Sequence, residues 1–345
     1  MNWKVLFFLG YMQVISLFCF EKIAFIKPNK RNPTLINSVS FHPKKNLFCV
    51  TFTHHHQVGL YQITDENKVK CIQLLQNPNA QMSHPQNAIF SPNGDHLVIV
   101  NWSSRNLNIY SADINGLYQT SPNAIIPCHL SKIDYRPHGM CFSPDEKYFS
   151  VVYGSFSDAP WTVVLYRVFD LGSNHTRFEP CSSLEKDHGL AGVPKGVTFS
   201  PDGTSLIVTF TETNSVGIFS INLENDQINA VPKQELSGAS TILCRPEDIA
   251  FSPDGSYCAV SNSTQNNVSF YQFDSIENRF ITDIPFKILG NDNPNLLFPH
   301  GLAFSSDGKF FAVTQFGTIE VDSQGYMKSW GKKLRSEGVN IFRVN

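Results

Sequence analysis

His138 and His300 each follow a proline and open the same run, Gly-apolar-x-Phe-Ser. Imidazole exchanges a proton near neutral pH more readily than any other ordinary side chain. Either histidine is therefore a candidate general base for activating a water molecule. Lys195 holds the matching place in its own Lys-Gly-Val-Thr-Phe-Ser run, and Glu247 and Gln86 hold it in two others. Arg136 and Arg245 stand two residues before His138 and Glu247. These cations suit a developing oxyanion or a bound phosphate. Glu212, just after an apolar stretch, is a third candidate catalytic group, and Trp102, Trp161 and Trp330 lie in stretches that read as loops and add aromatic contact surface.

Other chemistries leave no trace. There is no Gly-x-Ser-x-Gly elbow, phosphate loop, dinucleotide fingerprint or His-Glu-x-x-His motif, so no cofactor is expected. The eight cysteines form no Cys-x-x-Cys pair, and no metal site is expected from them. In an extended segment only His54 and His56 of the triplet His54-His55-His56 would share a side, and two ligands make a weak site. A solvated loop is the simpler reading. The net charge of −2 supplies no broad basic field for nucleic acid.

The elements that must position these residues are repeated. Phe41, Phe90, Phe142, Phe199, Phe251 and Phe304 recur about every fifty residues, each closing a short apolar strand, most before Ser-Pro-Asp-Gly or a close relative. In that turn Pro, Asp and Gly each suit their position. Two further strands follow, such as Tyr257-CAVS and Val268-SFYQF, and then a less regular fourth, such as Arg279-FITDIPFKIL. Four short strands per period predict an all-β propeller of six four-stranded blades, with seven as the fallback. The residue before each Phe is mostly small (Ser40, Cys141, Thr198, Ala250, Ala303; Ile89 is the exception). Strand neighbours face opposite ways, so the large face of one blade can nest on the small face of the next. The last unit ends at its third strand, Val339-NIFRVN, and Glu21-KIAFIKP is predicted to supply the missing outer strand and close the ring.

The starts of the first strands then place Asn37, Gln86, His138, Lys195, Glu247 and His300 around one mouth of the central channel. The long loops fall on that face. The tryptophans there serve either as ligand contacts or as plugs that pin loops to the sheets. Residues 1–20 form an apolar N-terminal segment that reads as a signal peptide or anchor and favours export or membrane anchoring; residues 21–345 form the propeller.

The units written Pro-x-Gly-apolar-x-Phe-Ser-Pro-Asp-Gly, as in Pro299-HGLAFSSDG, and segments such as Val260-SNSTQNNVSFY resemble the lactonase-like and YVTN-type propellers, the group that includes bacterial 6-phosphogluconolactonase. Tryptophan-aspartate repeats fit less well. The resemblance implies an acidic residue just after a second strand in lactone-hydrolysing members. Thr53, Ser103, Thr211 and Ser263 stand there instead, with Glu212 one position late. Two functions follow: a propeller that holds a protein or small ligand on the loop-rich face, favoured by that departure, or a hydrolase of a sugar lactone.

Overall fold

The computed structural model describes residues 19–28, 34–76, 82–113, 116–128, 136–154, 161–185, 192–290, 296–319 and 336–345. Trp330, residues 1–18 and most of the long loops lie outside them. The described residues form six small antiparallel sheets. In blade order their innermost strands are Val39–Phe41, Pro85–Phe90, Arg136–Phe142, Pro194–Phe199, Pro246–Phe251 and Pro299–Phe304. Each packs against the next, and the sixth returns to the first. The chain is a six-bladed propeller.

The turn chemistry works as its residues require. In blade 5, Gly255 N–H donates to Ser252 O at 2.9 Å with Gly255 at φ 69°, and Asp254 Oδ1 accepts from Ser252 Oγ (2.6 Å) and from Ser256 N–H (3.1 Å). A local hydrogen-bonded cage thus reverses the chain before the second strand.

Large-on-small packing holds the blades together. Phe199 shares a core cluster with Cys141 of the preceding blade, Phe41 with Ala303, and Phe304 with Ala250. Closure follows the expected route: Phe20–Ile26 pairs antiparallel with Gly338–Val344 as the outer strand of blade 6. Phe20 lays its ring 5.0 Å from Phe270 of blade 5 and 5.5 Å from Phe311 of its own blade. The chain ends lock by reciprocal bonds, Cys19 N–H to Asn345 O and Asn345 N–H to Cys19 O. In blade 5 the fourth stretch is two short pieces, Arg279–Phe280 and Lys287–Leu289. The intervening segment contains Pro285, which has no N–H for a ladder.

Candidate functional site

Each innermost strand from blade 2 to blade 6 has a proline as its first residue (in blade 3, its second) and slips register just after it, between Pro137 and Met140, Pro194 and Val197, Pro246 and Ile249, Pro299 and Leu302, and Pro85 and Asn87. A bulge re-aims side chains, and here it turns the residue after proline to the channel mouth. Hydroxyls of the second strands hold four of the six strand starts, the unbulged one of blade 1 included: Thr51, Thr209, Ser261 and Thr314 accept from the backbone N–H of Ser38, Gly196, Asp248 and Gly301 at 2.7–3.0 Å. Ser261 and Thr314 also donate across to the next blade, to His300 O (2.6 Å) and Asn37 O (3.2 Å). Gly301 is required because a Cβ there would lie 2.5 Å from Asn37 O.

The six strand entries, five of them bulged, bring Asn37, Gln86, His138, Lys195, Glu247 and His300 together around one cavity of about 20 Å3. A water molecule needs roughly 10–15 Å3 on this measure, so the cavity has room for about one. The ring predicted from the strand starts is therefore assembled.

Its hydrogen bonds fix the proton positions. His300 Nδ1 lies 2.9 Å from Asn37 O. A carbonyl only accepts, so Nδ1 carries the hydrogen and Nε2 is the basic nitrogen. That Nε2 is 3.5 Å from Glu247 Oε2, and the ring stacks on Phe316 at 4.7 Å. A proton arriving at Nε2 meets a carboxylate. Burial and the Lys195 charge push the His300 pKa down, while Glu247 and the Asn37 carbonyl push it up; burial wins.

On the other side, Asn37 Nδ2 donates to Gln86 Oε1 (3.1 Å) and to Thr53 Oγ1 (2.6 Å). The Gln86 amide nitrogen is 3.2 Å from His138 Nδ1 and donates to it. Neutral His138 consequently carries its hydrogen on Nε2. Burial, Lys195 and His300 hold its pKa well below the ordinary 6.5, so it stays neutral at pH 7. Lys195 is lowered mainly by burial and supported by Glu247. The arrangement offers a base at His300, a neutral donor at His138 and a cation at Lys195.

The remaining candidates are more scattered. Arg136 and Trp102 are half-buried, with the guanidinium 5.0 Å from the indole centre. Trp102 in turn meets the His84 ring edge-on at 6.3 Å. Arg245 adopts a left-handed backbone (φ 49°), its N–H donating to Asn214 Oδ1 at 2.7 Å. Two expected placements, those of Trp161 and Glu212, are corrected. Trp161 is buried between blades 3 and 4, its ring 5.4 Å from Phe210, because the large apolar ring gains more by filling the inter-blade core than by facing water. Glu212 is exposed and does not line the cavity, although its charge reaches Lys195. The histidine triplet is not extended: Thr53–His55 is a 3-10 turn and His56 is left-handed at φ 54°. His56 Nδ1 accepts from His84 N–H at 3.0 Å, so this histidine braces the start of the next blade. Among the described residues no group of three or more His, Cys, Asp or Glu side chains is disposed to hold a metal.

Sequence reasoning missed Asp248. It lines the ring cavity and also a larger axial channel of about 440 Å3 that runs between the innermost strands of all six blades toward the Ser-Pro-Asp-Gly turns. Its Oδ1 accepts from Ile249 N–H and its Oδ2 from Leu302 N–H of blade 6, both at 2.9 Å. Burial and Glu247 raise its pKa to about 7 against those two bonds. The signal was available. Glycine fills this position in three other blades (Gly139, Gly196, Gly301) and Ser38 and Asn87 in the rest, so an acid there is out of pattern.

Comparison with known proteins agrees with this architecture. The family model described as Lactonase, 7-bladed beta-propeller matches residues 140–284. No curated protein matches. Among solved structures, the periplasmic gluconolactonase PpgL of Pseudomonas aeruginosa aligns with a TM-score of 0.60 at 16% identity, over 90% of this chain and 88% of that one. A candidate 6-phosphogluconolactonase from Bacteroides uniformis aligns with a TM-score of 0.57 at 14% identity, over 92% and 90%. A protein from Lactobacillus plantarum gives 0.56 at 16%, over 72% and 71%. The family description has seven blades, whereas here blade 6 closes directly onto blade 1. The chain is similar to the lactonase-like β-propellers, in sequence over its central blades and in architecture over its length.

Proposed function

We propose that the protein hydrolyses a sugar lactone at the loop-rich mouth of its channel. Of the two functions set out from the sequence, the comparisons support the hydrolase better than the binding scaffold. The observation that carries the reading is the His300–Glu247 pair, which faces a cavity sized for one water beside His138 and Lys195.

The chemistry runs as follows. The lactone ring lies over the cavity with its carbonyl toward Lys195 and His138. His300 Nε2 takes a proton from the cavity water as the water oxygen bonds to the carbonyl carbon, and Glu247 stabilises the imidazolium. The Lys195 ammonium and the His138 Nε2–H bear the charge on the carbonyl oxygen, in a site from which water is largely excluded. The ring C–O bond then breaks, and the imidazolium returns its proton to the departing alkoxide. The product is the open hydroxy acid. In this reading Glu247 takes the part of the carboxylate absent from Thr53, Ser103, Thr211 and Ser263. The Ser263 hydroxyl, at one of those positions, lies 3.3 Å from Glu247 Oε1 and orients it.

The test is to follow the loss of gluconolactone and 6-phosphogluconolactone with purified protein. Consumption above the spontaneous rate is expected; consumption at the spontaneous rate removes the reading for these substrates.

A further inference from the structure

Hydrolysis of a lactone near neutral pH consumes one water and, because the hydroxy acid ionises, releases one proton per turnover. A substrate seated over the mouth covers a cavity with room for about one water. Supply and removal then need a second path. The axial channel provides one, since it occupies about 440 Å3 on the opposite side of the ring. Asn87 and Asp248 are the two residues that line both spaces. Among the residues lining the channel, Asp248 is the only carboxylate.

We propose that the axial channel is a rear path for water and protons to the ring site, and that Asp248 passes protons between them. This rests on the hydrolytic reading of the mouth. Asp248 directly follows Glu247, the partner of His300. Its backbone N–H is held by Ser261, whose hydroxyl also donates to His300 O, so one hydroxyl ties the channel acid to the site histidine. After the ring opens and the new acid ionises, the surplus proton moves from the ring cavity, through water, to the Asp248 carboxylate. The Asp248 carboxylic acid then releases it to channel water, and the turn face returns both groups to their starting state.

The charged and titratable groups around Asp248 suit this cycle. Glu247 lies on its own strand, Lys195 on the blade 4 strand, His300 on the blade 6 strand, and His138 and Cys141 on the blade 3 strand. Burial and the Glu247 charge raise the carboxyl to about 7, where it both accepts and releases a proton at physiological pH. Asn87 at the same junction cannot titrate.

The experiment compares wild type, Asp248→Asn and the channel-narrowing variant Thr198→Phe in steady-state lactone hydrolysis across pH, with and without a small diffusible buffer such as imidazole. Asp248→Asn is expected to lower kcat about tenfold with KM within twofold, and imidazole is expected to restore much of the loss. Thr198→Phe, which leaves the carboxylate in place, is expected to slow kcat without such rescue. A wild-type kcat and pH profile in Asp248→Asn, or a loss that no buffer restores, would overturn the proposal while leaving the hydrolytic site standing. No hydrolysis by wild type would overturn the hydrolytic reading and this proposal with it.

Discussion

The Asp248 carboxyl makes the stability of the fold depend on pH in an unusual direction. Its folded pKa lies near 7 against an ordinary 3.8. Across that window the folded state keeps a proton that the unfolded chain has released. By linkage the fold therefore loses stability as pH rises from about 4 to 7, whereas a salt-bridged carboxylate would gain it. A shift of about three units at about 1.4 kcal/mol each sets a ceiling near 4 kcal/mol. Asp248 keeps part of its surface open to the channel, which trims the expectation to about 1–3 kcal/mol. Asp248→Asn removes the titration. It also sets an amide against one of the two N–H donors, a constant cost of about 1 kcal/mol. The assay is urea unfolding of both proteins at about pH 4.5 and pH 8. The stability of wild type relative to the variant should fall by about 1–3 kcal/mol between the two. A difference that does not change with pH would refute the burial argument.

Other perturbations reach different parts of the account. Phe20→Ala removes a half-buried ring from the closing strand and should destabilise by about 2 kcal/mol in the same unfolding assay; an unchanged midpoint would mean that closure does not depend on it. Gly301→Ala drives a methyl into Asn37 O and Ser38 Cα and should cost about 1–3 kcal/mol, with hydrolysis falling further because Asn37 O orients His300; full activity would refute the close approach of blades 6 and 1. The acid limb of kcat/KM should fall below the ordinary histidine value of 6.5, since burial lowers His300. Glu247→Gln should move that limb lower still, and a shift upward would contradict the pairing.

The fold was legible because its information is local and repeated. An anchor Phe, a small neighbour and a turn of Ser-Pro-Asp-Gly type each state their role in a few residues. Six copies of that statement leave one closed arrangement. The orphan strand near Glu21 was legible by subtraction, from a last unit one strand short. The ring of strand starts was legible for the same reason.

What the sequence did not disclose depends on backbone detail. The bulge after each proline turns the residue at Asp248 toward the axis, and nothing in a strand-like run announces a bulge. Trp161 borders a loop, and sequence position alone does not say whether an indole turns outward or into the seam beside Phe210. The histidine triplet was read as a solvated loop, and nothing in it announced that a left-handed His56 would brace the start of the next blade. In the proposed reaction the carboxylate sought after a second strand comes from a first strand, from Glu247. It was placed on the rim, but its partnership with His300 becomes visible only when blades 5 and 6 are side by side.

The proposed reaction has His300, backed by Glu247, activate water beside His138. It is tested most directly by measuring kcat/KM for a sugar lactone in wild type, His138→Ala and His300→Ala under identical conditions. The account predicts measurable turnover in wild type, a loss of at least about a hundredfold in His300→Ala, within the span that a positioned general base contributes, and a smaller loss in His138→Ala. Equal rates in all three proteins would contradict it.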